Sequence, residues 1–250
     1  MKEHHDNLKK QFSIRVDTFE KAANWMLDPS LLEAHLRAAG EPSEGSDKCL
    51  DLCCGTGIVG RALKQKGWQP TGIDVTREMA ERCSDFFPAV TGSIESMPFE
   101  DASFDLAVLR QSFMLVDEKA ALSEIRRVLK KNGVFILSQS VPFSRRDNEH
   151  YRKVQIKRHI NILRYYTADD LIAECEKHGF RTTGTEYLRV RESVNHWLDS
   201  APELSENIRE EILSLISGAP ENYLSERNVE ISGGKVFEDW NWAVMKFRAE

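Results

Sequence analysis

Apolar and polar positions along the chain follow two periods. In the first 45 residues, Leu8, Phe12, Phe19, Ala22, Ala23 and Met26 fall close to a 3.6-residue stripe, which reads as helix. Pro29-Ser30 then opens a second helical stretch, Leu31 to Ala39, closed by Gly40. Glu41-Pro-Ser-Glu-Gly-Ser-Asp47 is a polar linker. Beyond it, short apolar runs alternate with helical ones. Strands are expected at 49–53, 69–75, 89–94, 104–109 and 134–139, and helices at 58–66, 77–83 and 118–130. In the last of these helices Ala121, Ile125, Val128 and Leu129 share a face, and Lys131-Asn-Gly133 makes the turn into the next strand. Strands alternating with helices imply a parallel sheet covered on both faces.

The last third is less regular. A helix is expected at 168–178, ending at Gly179, a strand at 181–190 and an amphipathic helix at 206–216. Ile231-Ser-Gly-Gly-Lys235 is a hairpin signal, and Trp240 to Phe247 alternates like a half-buried strand. The final strand is expected to be antiparallel.

Composition adds mainly exclusions. With 250 residues, 41% hydrophobic and 30% charged, the chain reads as an ordinary globular protein. The balance of 34 basic to 40 acidic residues, net −6, gives no overall attraction to nucleic acid. No apolar run approaches the roughly 18 residues of a membrane span. The charged start lacks an apolar stretch behind it and is read as carrying no secretory signal. Five cysteines, Cys49, Cys53, Cys54, Cys83 and Cys175, make neither a disulfide framework nor paired metal ligands. A reducing, cytoplasmic setting without a metal is expected.

The segment that carries chemistry is Leu50-Asp-Leu-Cys-Cys-Gly-Thr-Gly-Ile-Val-Gly60, a strand feeding a glycine turn that opens a helix. Such a turn lets a ligand approach backbone amides at a helix N-terminus. Gly55-x-Gly57-x-x-Gly60 also fits a dinucleotide turn, so a nicotinamide-dependent oxidoreductase stays open on this motif alone. Asp51, just ahead of the glycines, would face a pyrophosphate unfavourably and a cationic amino-acid ligand favourably. Asp74 ends the next strand, 23 residues on, where a carboxylate can accept both ribose hydroxyls.

Together with Gly92-Ser-Ile-Glu-Ser-Met-Pro-Phe99, Ser103-Phe-Asp-Leu-Ala-Val108 and Ile125-Arg-Arg-Val-Leu-Lys-Lys-Asn-Gly133, these residues resemble the class I S-adenosylmethionine-dependent methyltransferases. The likeness is to the group holding quinone-type C-methyltransferases and malonyl-carrier-protein O-methyltransferases. It covers residues 10–140 well and is poor beyond about 185. It implies an α/β fold: a Rossmann-like, mostly parallel seven-stranded sheet with an antiparallel C-terminal strand and a helical cap. It also implies S-adenosylmethionine as cofactor. Asp51, Cys53, Gly55 and Gly57 match the loop that holds the methionine part, Asp74 the ribose acid and Val75 the residue beside the adenine. Ser93 and Ile94 fall near the adenine amine and ring, and Arg110 and Gln111 end the strand facing the sulfonium. The chain departs from the pattern at Cys53, Ser93 and Asn132, where glycine, aspartate and glycine are usual. The organisation expected is an N-terminal helical cap (1–46), a cofactor-binding core (47–140), a cap insert (141–166), a core helix and strand (167–190), a second cap insert (191–234) and a C-terminal core strand (235–250).

The acceptor is less defined. The fourth strand ends Leu109-Arg-Gln-Ser-Phe113, without the Asn/Asp-Pro-Pro-Tyr/Phe pattern for planar amino groups and without a carboxylate for magnesium. A small organic acceptor is the expectation. The 141–166 insert holds seven Arg/Lys against two acids, a local +5, which suits an anionic acceptor. Arg145, Arg146, Arg152 and Arg158 are its candidate ligands, with Tyr165 a candidate for an aromatic pocket. A solvated basic face explains the same charges. An RNA methyltransferase and a non-catalytic S-adenosylmethionine-binding protein are further readings. No catalytic base is assigned; His150, His159 and His196 in the inserts are candidates, and the oligomeric state is left open.

Overall fold

The pleat sorts each strand's apolar side chains onto two faces, and helices cover both. The computed structural model describes residues 2–43, 47–159 and 161–250. Met1, the Glu44–Ser46 part of the linker and Ile160 of the first insert lie outside the described residues. Helices α1 (Lys2–Ser13) and α2 (Pro29–Ala39) precede β1 (Lys48–Leu52). Then come α3 (Ile58–Gln65), β2 (Gln69–Asp74), α4 (Arg77–Ser84), β3 (Ala89–Thr91), β4 (Phe104–Arg110), α5 (Glu118–Val128) and β5 (Leu129–Val141). The chain continues through α6 (Arg145–Arg158), α7 (Ala168–Lys177), β6 (Phe180–Ser193), α8 (Val194–Asp199), α9 (Glu206–Ser217), α10 (Glu221–Glu226), β7 (Glu230–Ser232) and β8 (Lys235–Ala249).

Strand order is β3-β2-β1-β4-β5-β8-β6, with β7 hairpinned onto β8. β1 to β5 pair in parallel, whereas β8 runs antiparallel to both β5 and β6. One face carries Cys49, Leu106, Val108, Ile136, Trp240, Trp242 and Val244 under α2, α3, α8 and α9. The other carries Leu50, Leu52, Ala107, Leu109, Phe135, Leu137 and Phe247 under α5 and α7. From β1 the chain first builds outward to β3 and then returns across β1 to β4. The order therefore reverses between β1 and β4, and a crevice opens beyond their carboxyl ends.

Local differences from the sequence reading have physical causes. The first helix stops at Ser13, and two 3-10 turns, Val16–Lys21 and Asn24–Leu27, take its place. The second is held by a distant group: the Glu192 carboxylate, at the end of β6, accepts the Asn24 and Trp25 amides at 2.8 and 3.2 Å. The expected 89–94 strand ends at Thr91, and α5 ends at Val128, where Leu129 turns extended. Residues 130–133 are not a free turn but a bulge inside β5, since Phe104 pairs with Leu129 and Leu106 with Val134.

The 97–105 motif is a brace rather than a ligand site. The Arg127 guanidinium on α5 donates to the Met97 and Phe99 carbonyls, and Asp105 accepts the Lys48 amide and the Lys130 ammonium. A second brace closes the far side of the sheet. Asp147 and Arg227, both fully buried, form a two-bond pair at 2.8 Å. Glu238 accepts Tyr223 Oη–H and Trp240 Nε1–H, so α6, α10 and β8 are tied together.

Candidate active site

The crevice is lined first by the turn after β1. Asp51 is 4% exposed, and its Oδ2 accepts the Gly60 amide at 2.8 Å. Burial pushes its pKa up to about 7, opposed by that amide and by Arg110 and reinforced by Asp74. Asp74, at the end of β2, accepts the Gly55 amide on Oδ2 at 2.9 Å and the Thr76 amide on Oδ1 at 2.8 Å. Its pKa is also raised by burial. Each carboxylate oxygen keeps a free lone pair beyond these bonds. Two of the departures from the glycine pattern keep the backbone a glycine would supply: Cys53 has φ +50° and Asn132 φ +62°, both left-handed.

The two glycines of the turn do different work. At Gly55, φ +52°, an added Cβ would stand 2.9 Å from the Phe19 ring, so the N-terminal segment rests directly on the turn. Gly57 has φ +84° as the N-cap of α3, and its Cβ would meet Cys83 Sγ at 2.9 Å and Phe87 at 3.0 Å. It does not line the crevice; it lets α3 pack onto α4. Gly57, expected in the loop that holds the methionine part, is required here by its positive φ and by packing.

Two cavities run along the strand ends. The first is lined by Asp51, Cys53, Arg110, Gln111, Trp25 and Met26 among others. The second is lined by Gly55, Asp74, Val75, Ser93, Ile94 and Met79, and also Cys53. They share Phe12, Phe19, Cys53, Ser112 and Leu115, which mark their junction. Gln111, φ +55°, is fixed by its side chain, which donates to Ser140 Oγ at 2.7 Å and accepts the Ser140 amide at 2.8 Å. The Arg110 guanidinium donates to the Met26 carbonyl at 2.9 Å and lies 4.9 Å from the Trp25 ring centroid. Burial pulls its pKa down to about 10, and Asp51 acts against that shift. The Ser93 hydroxyl is engaged locally, accepting the Glu95 amide at 3.1 Å.

The outer wall of the first cavity comes from the cap and the inserts. Arg15, Arg158, His159, Trp197, Ser200 and Trp240 line it. Sequence reasoning did not single out Arg15, Trp25, Trp197 or Trp240 for a site, and placed Phe12 and Phe19 only on a helical stripe; that stripe was the available signal for these two. Of the three histidine candidates, only His159 lines either of these two cavities, and burial with Arg158 and Arg15 nearby holds its pKa well below the usual value. His150 instead contacts the Leu215 carbonyl at 2.8 Å and packs on Tyr223, and His196 is exposed. Among the candidate arginines, Arg145, Arg146 and Arg152 are exposed, Arg152 over the half-buried Tyr165 ring, while Arg158 is buried. Tyr165 lines neither cavity. Among the described residues, no group of three or more His, Cys, Asp or Glu is placed to hold a metal, and no helix is long and apolar enough to cross a membrane.

Comparison with known proteins agrees with this geometry. Residues 50–137 match the model of a methyltransferase domain. Squalene methyltransferase 1 of Botryococcus braunii is 30% identical over 156 residues, which is 58% of this chain and 40% of that one. Demethylmenaquinone methyltransferase of Thermotoga maritima is 35% identical over 102 residues, 38% of this chain and 44% of that one. The chain thus spans less than half the length of these two curated relatives. The solved YcgJ protein of Bacillus subtilis shares the fold, with a TM-score of 0.76 at 19% identity over 88% of this chain and 97% of that one. Over residues 50–137 the chain is thus similar to a methyltransferase domain.

Proposed function

We propose that the protein moves the methyl group of S-adenosylmethionine to a small organic acceptor and releases S-adenosylhomocysteine. The observation that carries this reading is the pair of cavities meeting at Cys53 and Ser112. Asp74, Val75, Ser93 and Ile94 in the second suit an adenosine, with Asp74 on the ribose. Asp51 in the first suits the ammonium of the methionine part, and aromatic space remains beyond it for an acceptor. The same carboxylate counts against a nicotinamide dinucleotide, whose pyrophosphate it would repel.

When bound, the cofactor supplies a methyl group already activated on a sulfonium. What the chain must add is alignment and exclusion of water, which together can lower a barrier by many kcal/mol. Gln111, fixed on both sides by Ser140, and the rings of Phe12, Phe19 and Trp25 do this. For an acceptor that must lose a proton, His159 is a half-buried, neutral imidazole in the wall of the acceptor space. Calorimetry tests the reading: S-adenosylhomocysteine is expected to bind at micromolar concentration. Binding of NAD(H) with no response to S-adenosylhomocysteine would overturn it. Binding without methyl transfer to any member of a broad acceptor panel would leave a non-catalytic binder.

A further inference from the structure

We propose that the acceptor carries a carboxylate and that Arg158 binds it. This rests on the methyltransferase reading and specifies its acceptor. Three arginines are buried among the described residues: Arg15, Arg158 and Arg227. Arg15 pairs with Glu203 and Arg227 with Asp147. Arg158 is 2% exposed and has no carboxylate partner among the described residues. Its Nη2 donates to the Trp197 carbonyl at 3.2 Å and to Ser200 Oγ at 3.4 Å, and its guanidinium lies 5.1 Å from the Trp197 ring centroid. Nε and Nη1 meet no hydrogen-bond partner among the described residues. A buried, unanswered cation is costly to hold, and proteins seldom keep one without a use.

The surroundings define the anion. Arg15 and Arg209 both lie close enough to oppose the Arg158 charge, and each has its own carboxylate, Glu203 and Asp199. His159, kept neutral, adds none. Arg110, also in this cavity, is opposed by Asp51, so in the outer wall one positive charge is left over, which a carboxylate matches and a phosphate dianion would overshoot. Trp25, Trp197, Trp240, Phe12 and Phe19 line the same cavity, so the rest of the acceptor is aromatic or extended and apolar. Arg158, Trp197, Ser200 and Trp240 belong to the first cavity only, away from its junction with the second. The carboxylate is therefore a handle, and the methyl group goes to another atom of the acceptor.

The test uses 3-phenylpropanoate and its isostere 3-phenylpropanamide as probes, titrated calorimetrically into protein saturated with S-adenosylhomocysteine. The acid is expected to bind at least about tenfold tighter than the amide. Arg158→Gln should erase that preference and leave S-adenosylhomocysteine affinity within about twofold, while Arg145→Gln, on the exposed start of the same helix, should change neither. Arg158→Lys, which keeps the charge without the planar fork, should retain part of the preference and covers the case in which the Gln variant does not fold. Equal binding of acid and amide by the wild type, no binding of the acid, or a preference that survives Arg158→Gln would overturn the proposal. Loss of S-adenosylhomocysteine binding by the wild type would instead overturn the methyltransferase reading itself.

Discussion

The buried carboxyl of Asp51 should make cofactor affinity depend on pH. Its ordinary pKa is 3.8, and burial carries it to about 7, with Arg110 from β4 opposing and Asp74 from β2 reinforcing the shift. In the unliganded protein the sign follows from linkage. Below pH 4 the group is protonated both folded and unfolded. Between pH 4 and 7 the folded state keeps a proton that the unfolded state has lost, so stability falls as pH rises through that window. The gap sets an upper limit of about 4 kcal/mol on this loss. An ammonium placed beside Asp51 reverses the preference, because it favours the ionised carboxylate. Binding must then expel the proton wherever one is present.

The magnitude can be worked directly. For a pKa of about 7, affinity for S-adenosylhomocysteine should be about thirtyfold weaker at pH 5.5 than at pH 8, or about 2 kcal/mol. Calorimetry in two buffers of different protonation enthalpy counts the protons: close to one released near pH 5.5, close to none at pH 8.5. Asp51→Asn should bind more weakly and release none. Glu192 is the obvious competitor, since burial also raises it to about 7 and it holds the amides of Asn24 and Trp25. It faces the cap backbone rather than either cavity, so Glu192→Gln should keep the slope. A flat pH profile with no proton released by the wild type would refute the placement of the ammonium on Asp51.

Other consequences can be checked separately. Asp74→Ala should weaken S-adenosylhomocysteine binding at least about tenfold in calorimetry. It should also lower the melting temperature without ligand, because the Gly55 and Thr76 amides lose their acceptor, at about 1–3 kcal/mol each. Gly57→Val should destabilise the unliganded protein by more than about 2 kcal/mol in urea unfolding, through its φ of +84° and the collision with Cys83 and Phe87; an unchanged midpoint would contradict the packing role. Asp147→Asn should cost about 3–5 kcal/mol in the same assay, since Arg227 is left with only Glu238 at 4.0 Å, whereas Arg146→Gln on the exposed face should be nearly silent.

The parallel strands and the glycine turn after β1 were legible because both obey local rules. Strands buried on two faces read as apolar runs, and Asp51 and Asp74 betray themselves by standing at strand ends beside glycines or a helix start. The 3-10 turn at 24–27 was not legible, because the group that fixes it, Glu192, lies 168 residues away. Helix α6 shows the same limit more sharply. Its inward stripe is Asp147, Tyr151, Val154, Gln155 and Arg158, a good helical period built mostly from polar residues. A search for apolar periodicity passes over such a stripe, and by composition Arg158 cannot be told from Arg145, Arg146 or Arg152. Only the phase of the helix against α8 and α10 separates the buried arginine from its solvated neighbours.

That contrast separates the glycine turn, which is readable in the sequence, from the wall of the first cavity, which is not. The turn at 53–57 must pass tightly from β1 into α3, so its conformations are forced: where glycine is absent, Cys53 still adopts φ +50°. The wall of the first cavity answers to no such common demand. Trp25 comes from the cap, Arg158 and His159 from the first insert, Trp197 and Ser200 from the second, and Trp240 from the last strand. Each is held by its own neighbours: Trp25 by Glu192 through its amide, Trp197 edge-on against Trp240 at 5.0 Å, and Arg158 by the Trp197 carbonyl. The first cavity is therefore built from contacts between segments remote in sequence, and the N-terminal segment, resting through Phe19 on Gly55, joins that wall to the turn.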